Sequence, residues 1–409
     1  MKKIRFLHTA DLHLDSPFLG LSHLPKELFD RLRESTFRAF EKVVDAAIEQ
    51  NVDFVLIAGD LFDGEDRSIK AQAKLRSQLE RLGGSGICVF ISHGNHDHLG
   101  GNWLMLDMPE HVHVFGGTVE SAAFNSRDGA TVHIYGFSYP ERHVAARRIE
   151  DYQKEPGADF HIAMLHGHCE GGESGHQPYA PFSIREALEK EMDYWALGHI
   201  HKREILHVDP YIVYPGNIQG RHRKEDGEKG CCIAELDSNG GSRLQFIETA
   251  DVTWQKCSLE GKENMGLTEL YAACKRAMEG MASEKEKGVL LEIEIKGAGH
   301  LPAELKQRLD NGEFLEMLQE DIIWDSQFVW PYSILLTEEQ EAEHSLDDAF
   351  LLNLEAAASE MGCDGTFEEG ISDLYSHLYA SRYLDGWNEA EKLECLQAAK
   401  GLVAKSLTT

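Results

Sequence analysis

Asp11, His13, Asp60, Asn95, His166, His199 and His201 are the residues of this chain best suited to binding metal. They sit in five short segments: Asp11-Leu12-His13, Gly59-Asp60, Gly94-Asn95-His96-Asp97, His166-Gly167 and Gly198-His199-Ile200-His201. The set combines two Asp, one Asn and four His, with no thiolate. Hard oxygens mixed with imidazoles suit Mn²⁺, Fe²⁺ or Zn²⁺ better than Ca²⁺ or a structural four-cysteine zinc. Seven donors exceed what one tetrahedral ion takes and match two ions that share a carboxylate. Two ions about 3.5–4 Å apart can clamp the attacking and leaving oxygens of an in-line displacement at phosphorus. Asp60 is placed to bridge them. His96 stands beside a ligand rather than on a metal, where it can give a proton to a leaving alkoxide, with Asp97 orienting it.

Each segment follows an apolar run that reads as a buried strand, at residues 4–8, 54–58, 88–92, 162–165 and 195–197. In open α/β sheets, ligands gather beyond the carboxyl ends of the strands. If the chain stays extended there, period-two geometry sends Asp11 and His13 to one side, and likewise His199 and His201. Taken singly the motifs are ordinary. Asp-x-His is common in loops, Gly-Asp serves turns and helix caps, and the chain has 21 histidines to scatter over its surface. The ordered series, each member after a strand-like run, is what identifies a site.

Helical apolar spacing covers residues 28–47 and 71–82. Shorter strands follow at 131–136, 204–208, 211–214, 231–236 and 243–248. The pattern predicts an α/β fold of two packed sheets flanked by helices. The Gly-rich loop at 169–181 is expected to be mobile and near the site. Beyond Trp254 a smaller α+β unit is expected, with helices at 267–281, 304–309 and 313–320 and strands at 289–296 and 333–336. From residue 338 the chain turns acidic and helical, with weak stripes at 349–359 and 374–384 and a last helix at 390–407.

The series resembles the calcineurin-like metallophosphoesterase superfamily. Within it, His8-Thr9-Ala10-Asp11-Leu12-His13-Leu14, Ala58-Gly59-Asp60-Leu61-Phe62-Asp63 and Ser92-His93-Gly94-Asn95-His96-Asp97 resemble the SbcD-type DNA repair exonucleases. Leu12-His13-Leu14-Asp15-Ser16-Pro17-Phe18 is similar to the bacterial YhaO branch of that group. The resemblance implies a two-sheet core over residues 1–253, a small capping domain over 254–337 and a C-terminal helical region over 338–409. It implies one metal on Asp11, His13, Asp60 and His201, and a second on Asp60, Asn95, His166 and His199, with Mn²⁺ preferred. His96 falls on the family's general acid or phosphate-orienting histidine. The implied reaction is phosphodiester hydrolysis at DNA ends, with hydroxide held between the metals attacking phosphorus. The implied partners are DNA, an SbcC-type ABC ATPase gripped through the C-terminal helices, and a second copy of the chain. A phosphodiesterase or phosphatase acting on a small nucleotide stays open, because metal ligands do not encode the substrate. So does a non-catalytic docking subunit of the ATPase.

Charge bears on the partners. The formal net charge is −30, and residues 260–409 hold 12 Lys and Arg against 31 Asp and Glu. Residues 1–259 hold 28 against 39. Such acidity predicts weak DNA binding by this chain alone. Two local clusters are basic, at 142–148 and 221–224. Arg221 and Arg223 are the candidate phosphate contacts, since they closely follow the turn Tyr214-Pro215-Gly216-Asn217. No apolar run reaches 18 residues, so no membrane span is expected. The eight cysteines lack disulfide or metal spacing and read as reduced thiols of a cytoplasmic protein. There is no Gly-x4-Gly-Lys-[Ser/Thr] motif for binding ATP.

Overall fold

Alternation along the buried strands sorts their side chains into separate layers. In the computed structural model, β1 (Lys3–Thr9) turns Ile4 and Phe6 to one face and Leu7 to the other. β2 (Phe54–Ala58) sends Phe54, Leu56 and Ala58 the first way and Val55 and Ile57 the second. The second face packs under α1 (Lys26–Glu49) and α2 (Ile69–Gly84), which supply Phe40, Val43, Val44, Ala47, Leu75 and Leu79. Ser68 caps α2, its hydroxyl accepting from the Ala71 N–H at 3.0 Å. The structure describes residues 2–337 apart from breaks at 17, 19–20, 22–23, 64–67, 102–105, 172–178, 264, 285–286, 321 and 323–326, and scattered residues beyond 337.

The first sheet continues with β3 (Cys88–Ser92) and β4 (Val112–Val114). The second contains β5 (Glu120–Asn125), β6 (Thr131–Gly136), β7 (Phe160–His166), β8 (Tyr194–Gly198), β9 (Glu204–Val208) and β10 (Tyr211–Tyr214). The chain then returns to the first sheet as β11 (Gly230–Asp237) and β12 (Ser242–Glu248). The orders are β12-β11-β1-β2-β3-β4 and β5-β6-β7-β8-β10-β9. The central strands are parallel in both, with antiparallel edges. The first face of β1 and β2 meets Ile134, Ile162, Met164, Tyr194 and Ala196 of the second sheet, forming the inter-sheet core. Trp195, Leu197 and Leu165 face outward, under Ala187 of the short helix α3 (Ile184–Glu189). Each fully buried side chain of this kind contributes about 1.5–3 kcal/mol. The two-sheet, helix-flanked architecture is the expected one.

A third sheet follows from β13 (Val252–Glu260), β14 (Gly288–Lys296) and β15 (Val329–Thr337), all parallel. It is covered by α4 (Leu267–Glu284), α5 (Ala303–Asp310) and α6 (Glu313–Gln319) around a core of its own. β13 falls where only a change of pattern was legible. Val252 and Trp254 pack with Leu290, Phe328 and Trp330 against Leu28 and Leu32 of α1. Arg31 adds a bidentate pair to Asp251, with N–O distances of 2.7 and 2.9 Å. Residues 1–337 accordingly form one compact unit, and residues 338–409 form another. Residues 353–358 and 395–400 are helical, within the stripe expected at 349–359 and the helix expected at 390–407. The rest of both, and the stripe expected at 374–384, lie mainly outside the described residues. The centre of the loop at 169–181 also lies outside them. Among the described residues, no helix is long and apolar enough to cross a membrane.

Candidate metal centre

The five segments leave the carboxyl ends of β1, β2, β3, β7 and β8 and converge. The donors do not hang from extended chain, as period-two reasoning supposes. Asp11, His13, Asp60 and His199 all take positive φ, at 50°, 42°, 50° and 97°. Non-glycine residues avoid this region, so its clustering here marks a place where the surroundings impose local strain. Backbone hydrogen bonds hold it: Asp11 N–H to Gly59 O at 3.1 Å and His13 N–H to Asp60 O at 3.0 Å. The Asp11 carboxylate accepts from the His199 N–H at 3.0 and 3.1 Å, which ties the two sheets together. Their approach needs glycine. A Cβ on Gly198 lies 1.7 Å from the Ala58 carbonyl oxygen, an overlap only backbone movement relieves. Gly198→Ala is therefore expected to cost about 2–3 kcal/mol, as overpacking does, and to lower the melting temperature measured by calorimetry. An unchanged melting temperature contradicts that account of the inter-sheet contact.

Two donor groups face one another across Asp60. In the first, Asp11, His13 and His201 bring one ligand atom each within 4.8 Å of the others. His201 Nδ1 donates to Glu225 Oε1 at 2.6 Å, which in the neutral ring leaves Nε2 as a lone pair. That Nε2 lies 3.1 Å from His13 Nε2. In the second, His166 Nδ1 donates to the Ala58 carbonyl at 3.0 Å. Its Nε2 then points a lone pair at Asn95 Oδ1, 3.0 Å away, and at Asp60 Oδ2, 3.4 Å away. Asp60 Oδ2 is also 3.8 Å from His13 Nε2. In the second group the His166 Nε2 lone pair and the Asn95 and Asp60 oxygens are acceptors aimed at one another in a dry site, and they repel unless a cation stands between them. The donor chemistry fits two divalent ions. Burial acts in the same sense on His13, lowering its pKa well below the ordinary value, with Arg221 adding to the effect. His199, expected in the second group, stands beside it with its ring 5.2 Å from that of His166.

His96 enters neither of these two groups, but with His13 and Asp63 it makes a third set whose ligand atoms lie within 4.8 Å of one another. Its ring stands edge-on to that of His13 at 5.1 Å, and about a third of its side chain stays exposed. Asp97 does not orient it. That carboxylate is buried and accepts from the Gly94 N–H at 2.7 Å, the Leu61 N–H at 3.0 Å and His93 Nδ1 at 2.8 Å, so it closes the loop on itself. Asp63 takes the orienting place, with Oδ1 2.8 Å from His96 Nδ1. The hydrogen bond from His96 holds the Asp63 carboxyl below the carboxylate range, against the pull of burial. Burial lowers the His96 pKa, but Asp63 and Asp60 together outweigh it and raise the ring above the ordinary value.

Of the two candidate phosphate contacts, Arg223 is exposed and Arg221 is buried. Arg221 is engaged inside the protein, with NH1 2.9 Å from Ser16 Oγ and 3.0 Å from Asp63 Oδ2. Two arginines of the other basic cluster are also engaged: Arg147 pairs with Glu170 and Glu186, and Arg148 with Asp151. Sequence reasoning passed over Asp63 and Glu225. Asp63 stood in the quoted Ala58–Asp63 motif, and Glu225 is the first of the acids that close the basic run at 221–224. Both signals were legible.

A family model described as calcineurin-like phosphoesterase matches residues 4–203. A Bacillus subtilis protein named uncharacterized metallophosphoesterase YhaO is 39% identical over 410 residues, covering 99% of this chain and 98% of that one. A Thermoplasma acidophilum protein named DNA double-strand break repair protein Mre11 is 26% identical over 311 residues, covering 71% and 76%. Among solved structures, a dimetal phosphatase from Danio rerio is similar at a TM-score of 0.36 and 11% identity, covering 60% of this chain and 96% of that one.

Proposed function

The chain belongs to the calcineurin-like metallophosphoesterases, and from that premise we propose that it is a two-metal phosphodiesterase that processes DNA ends. One observation carries the reading. A single carboxylate oxygen, Asp60 Oδ2, stands between two convergent groups of lone pairs, 3.4 Å from His166 Nε2 and 3.8 Å from His13 Nε2. Asp11, His13, Asp60 and His201 hold one divalent ion; Asp60, Asn95, His166 and His199 hold the other, with Mn²⁺ the proposed metal. When bound, such ions polarise phosphoryl oxygens and bring the pKa of water towards neutrality. The protein's own residues do the remaining work. Asp60 Oδ1 accepts the His96 N–H at 3.0 Å, so the shared ligand also positions the proton donor. His96, oriented by Asp63, protonates the leaving 3′ oxygen.

DNA as substrate is supported by the relatives named as double-strand break repair proteins. The net charge of −30 supports a division of labour in which a partner supplies the basic surface for long DNA. An SbcC-type ABC ATPase docked on residues 338–409, a homodimer and a cytoplasmic location complete the proposal. The capping role belongs to residues 254–337. The same charge favours a second reading, hydrolysis of a small nucleotide diester.

The test is cleavage of linear and closed circular duplex DNA with added Mn²⁺. Bis(4-nitrophenyl) phosphate runs in parallel, and His96→Ala is the control. Loss of linear DNA that stops in the variant is the expected result. Hydrolysis of the small diester with DNA untouched, even beside the ATPase, selects the second reading, and no hydrolysis of either rejects both.

A further inference from the structure

Arg221 reads in the sequence as a phosphate contact, yet its surroundings are those of an interior brace. Its side chain is 11% exposed. NH1 donates to Asp63 Oδ2 and Ser16 Oγ, and NH2 lies 3.6 Å from Glu225 Oε1. Its backbone N–H donates to Glu225 Oε2 at 2.7 Å. The two carboxylates it joins each hold a histidine of the site. Asp63 Oδ1 is 2.8 Å from His96 Nδ1 and 3.7 Å from His13 Nδ1, and Glu225 Oε1 accepts from His201 Nδ1. A phosphate bound by this guanidinium would take it from two partly or wholly buried carboxylates and leave their negative charge uncompensated.

The backbone that carries Arg221 is anchored from the third sheet. Gln219 Nε2 donates to the Val252 carbonyl at 2.6 Å, and Gln219 Oε1 accepts from the Asp251 N–H at 2.8 Å. The Gly220 carbonyl accepts from Trp254 Nε1 at 3.2 Å. A Cβ on Gly220 lies 2.5 Å from the Glu225 carbonyl oxygen, so the turn is also closed from within. Asp251, next to these bonds, is held by Arg31 of α1. The start of β13 therefore fixes where the guanidinium stands.

We infer that Arg221 is a positioning residue. It braces Asp63 against Glu225, so that His96 and His201 keep their places together, and it takes that position from β13. The inference rests on the proposed reading of His96 as proton donor and His201 as metal ligand.

The test uses the full chain as wild type, Arg221→Met, Arg221→Lys and Glu225→Gln. Mn²⁺ binding is measured by calorimetry on protein stripped of metal. Hydrolysis is compared between bis(4-nitrophenyl) phosphate, whose leaving group needs no proton, and a dinucleotide, whose alkoxide does. In Arg221→Met, kcat on the dinucleotide is expected to fall about 10²-fold further than on the nitrophenyl ester, the scale of a lost general acid. KM stays within about twofold on both, because no phosphate contact is lost. Mn²⁺ affinity falls by about tenfold, as when an outer carboxylate is disturbed. Arg221→Lys recovers only part of each, since an ammonium lacks the guanidinium fork that spans two carboxylates. Glu225→Gln weakens Mn²⁺ binding and also slows the dinucleotide relative to the nitrophenyl ester, because it frees one end of the brace. An unchanged ratio there would uncouple the two carboxylates and overturn the inference where Arg221→Met fails to fold. A rise in KM on both esters, with the ratio and Mn²⁺ affinity intact, makes Arg221 a phosphate ligand and overturns the inference. If the wild type binds no Mn²⁺, the reading of the centre fails and takes the brace with it; a wild type that binds Mn²⁺ and is active isolates the fault to Arg221.

Discussion

Asp60→Ala is expected to empty both metal positions at once and to lower phosphodiester hydrolysis by at least about 10³-fold. Asp60 is buried, and Oδ2 stands 3.8 Å from His13 Nε2 in one donor group and 3.4 Å from His166 Nε2 in the other. Removing it takes a negative charge from both sides of the centre. The loss of several kcal/mol of charge stabilisation in the transition state corresponds to that fold-change. Asp60→Asn separates charge from shape, because an amide oxygen can still accept the His96 N–H. Both variants, passed through gel filtration in Mn²⁺ and assayed for bound metal, should hold fewer than one ion per chain. Full stoichiometry in Asp60→Ala would mean that the carboxylate is not shared, and the two-metal reading would lose its central ligand.

His96→Ala separates binding from chemistry. Its imidazole is hydrogen-bonded to Asp63 and shares neither of the donor groups around Asp60, although with His13 and Asp63 it forms a third set of ligand atoms within 4.8 Å of one another. With the proton-donor role, metal content should stay at the wild-type level. Turnover of a dinucleotide should fall by about 10²–10⁴-fold, the range for loss of a positioned acid. The nitrophenyl ester should suffer less, since its leaving group departs as a stable anion. Stripping of metal by the substitution would make His96 a ligand and return proton donation to another group.

Much of the fold is legible because buried strands leave little choice. Phe54-Val55-Leu56-Ile57-Ala58 has an apolar side chain for each face, and it is buried throughout. The edge strands β4 and β5 are half-exposed and carry no such signature. β13 starts buried against α1, with Val252 and Trp254 beside Leu28 and Leu32, and ends in alternating exposure, so its pattern changes partway along. In the site, residue types and order identify which segments meet. They do not reveal how the chain turns once it leaves a strand. Asp97, next but one to Asn95, looks like the natural partner of His96, yet the turn sends it inward to backbone N–H groups and His93. Asp63 reaches His96 from another segment. Arg221 misleads for a related reason: proximity to a turn says nothing about which side of that turn is dry.

The donors are divided between the sheets. Asp11, His13, Asp60 and Asn95 follow strands of the first, whereas His166, His199 and His201 belong to the second. Ions held among them would therefore act as solder between two halves, adding to the apolar contact and to the hydrogen bonds His199 N–H to Asp11 and His166 Nδ1 to the Ala58 carbonyl that already join them. Binding adds to the cohesion of the fold by about 2.7 kcal/mol at a hundred times the dissociation constant and about 4.1 at a thousand times. If the proposed centre is loaded in this way, the ion supply that sets the rate of hydrolysis would also set how long each molecule withstands heat and proteolysis.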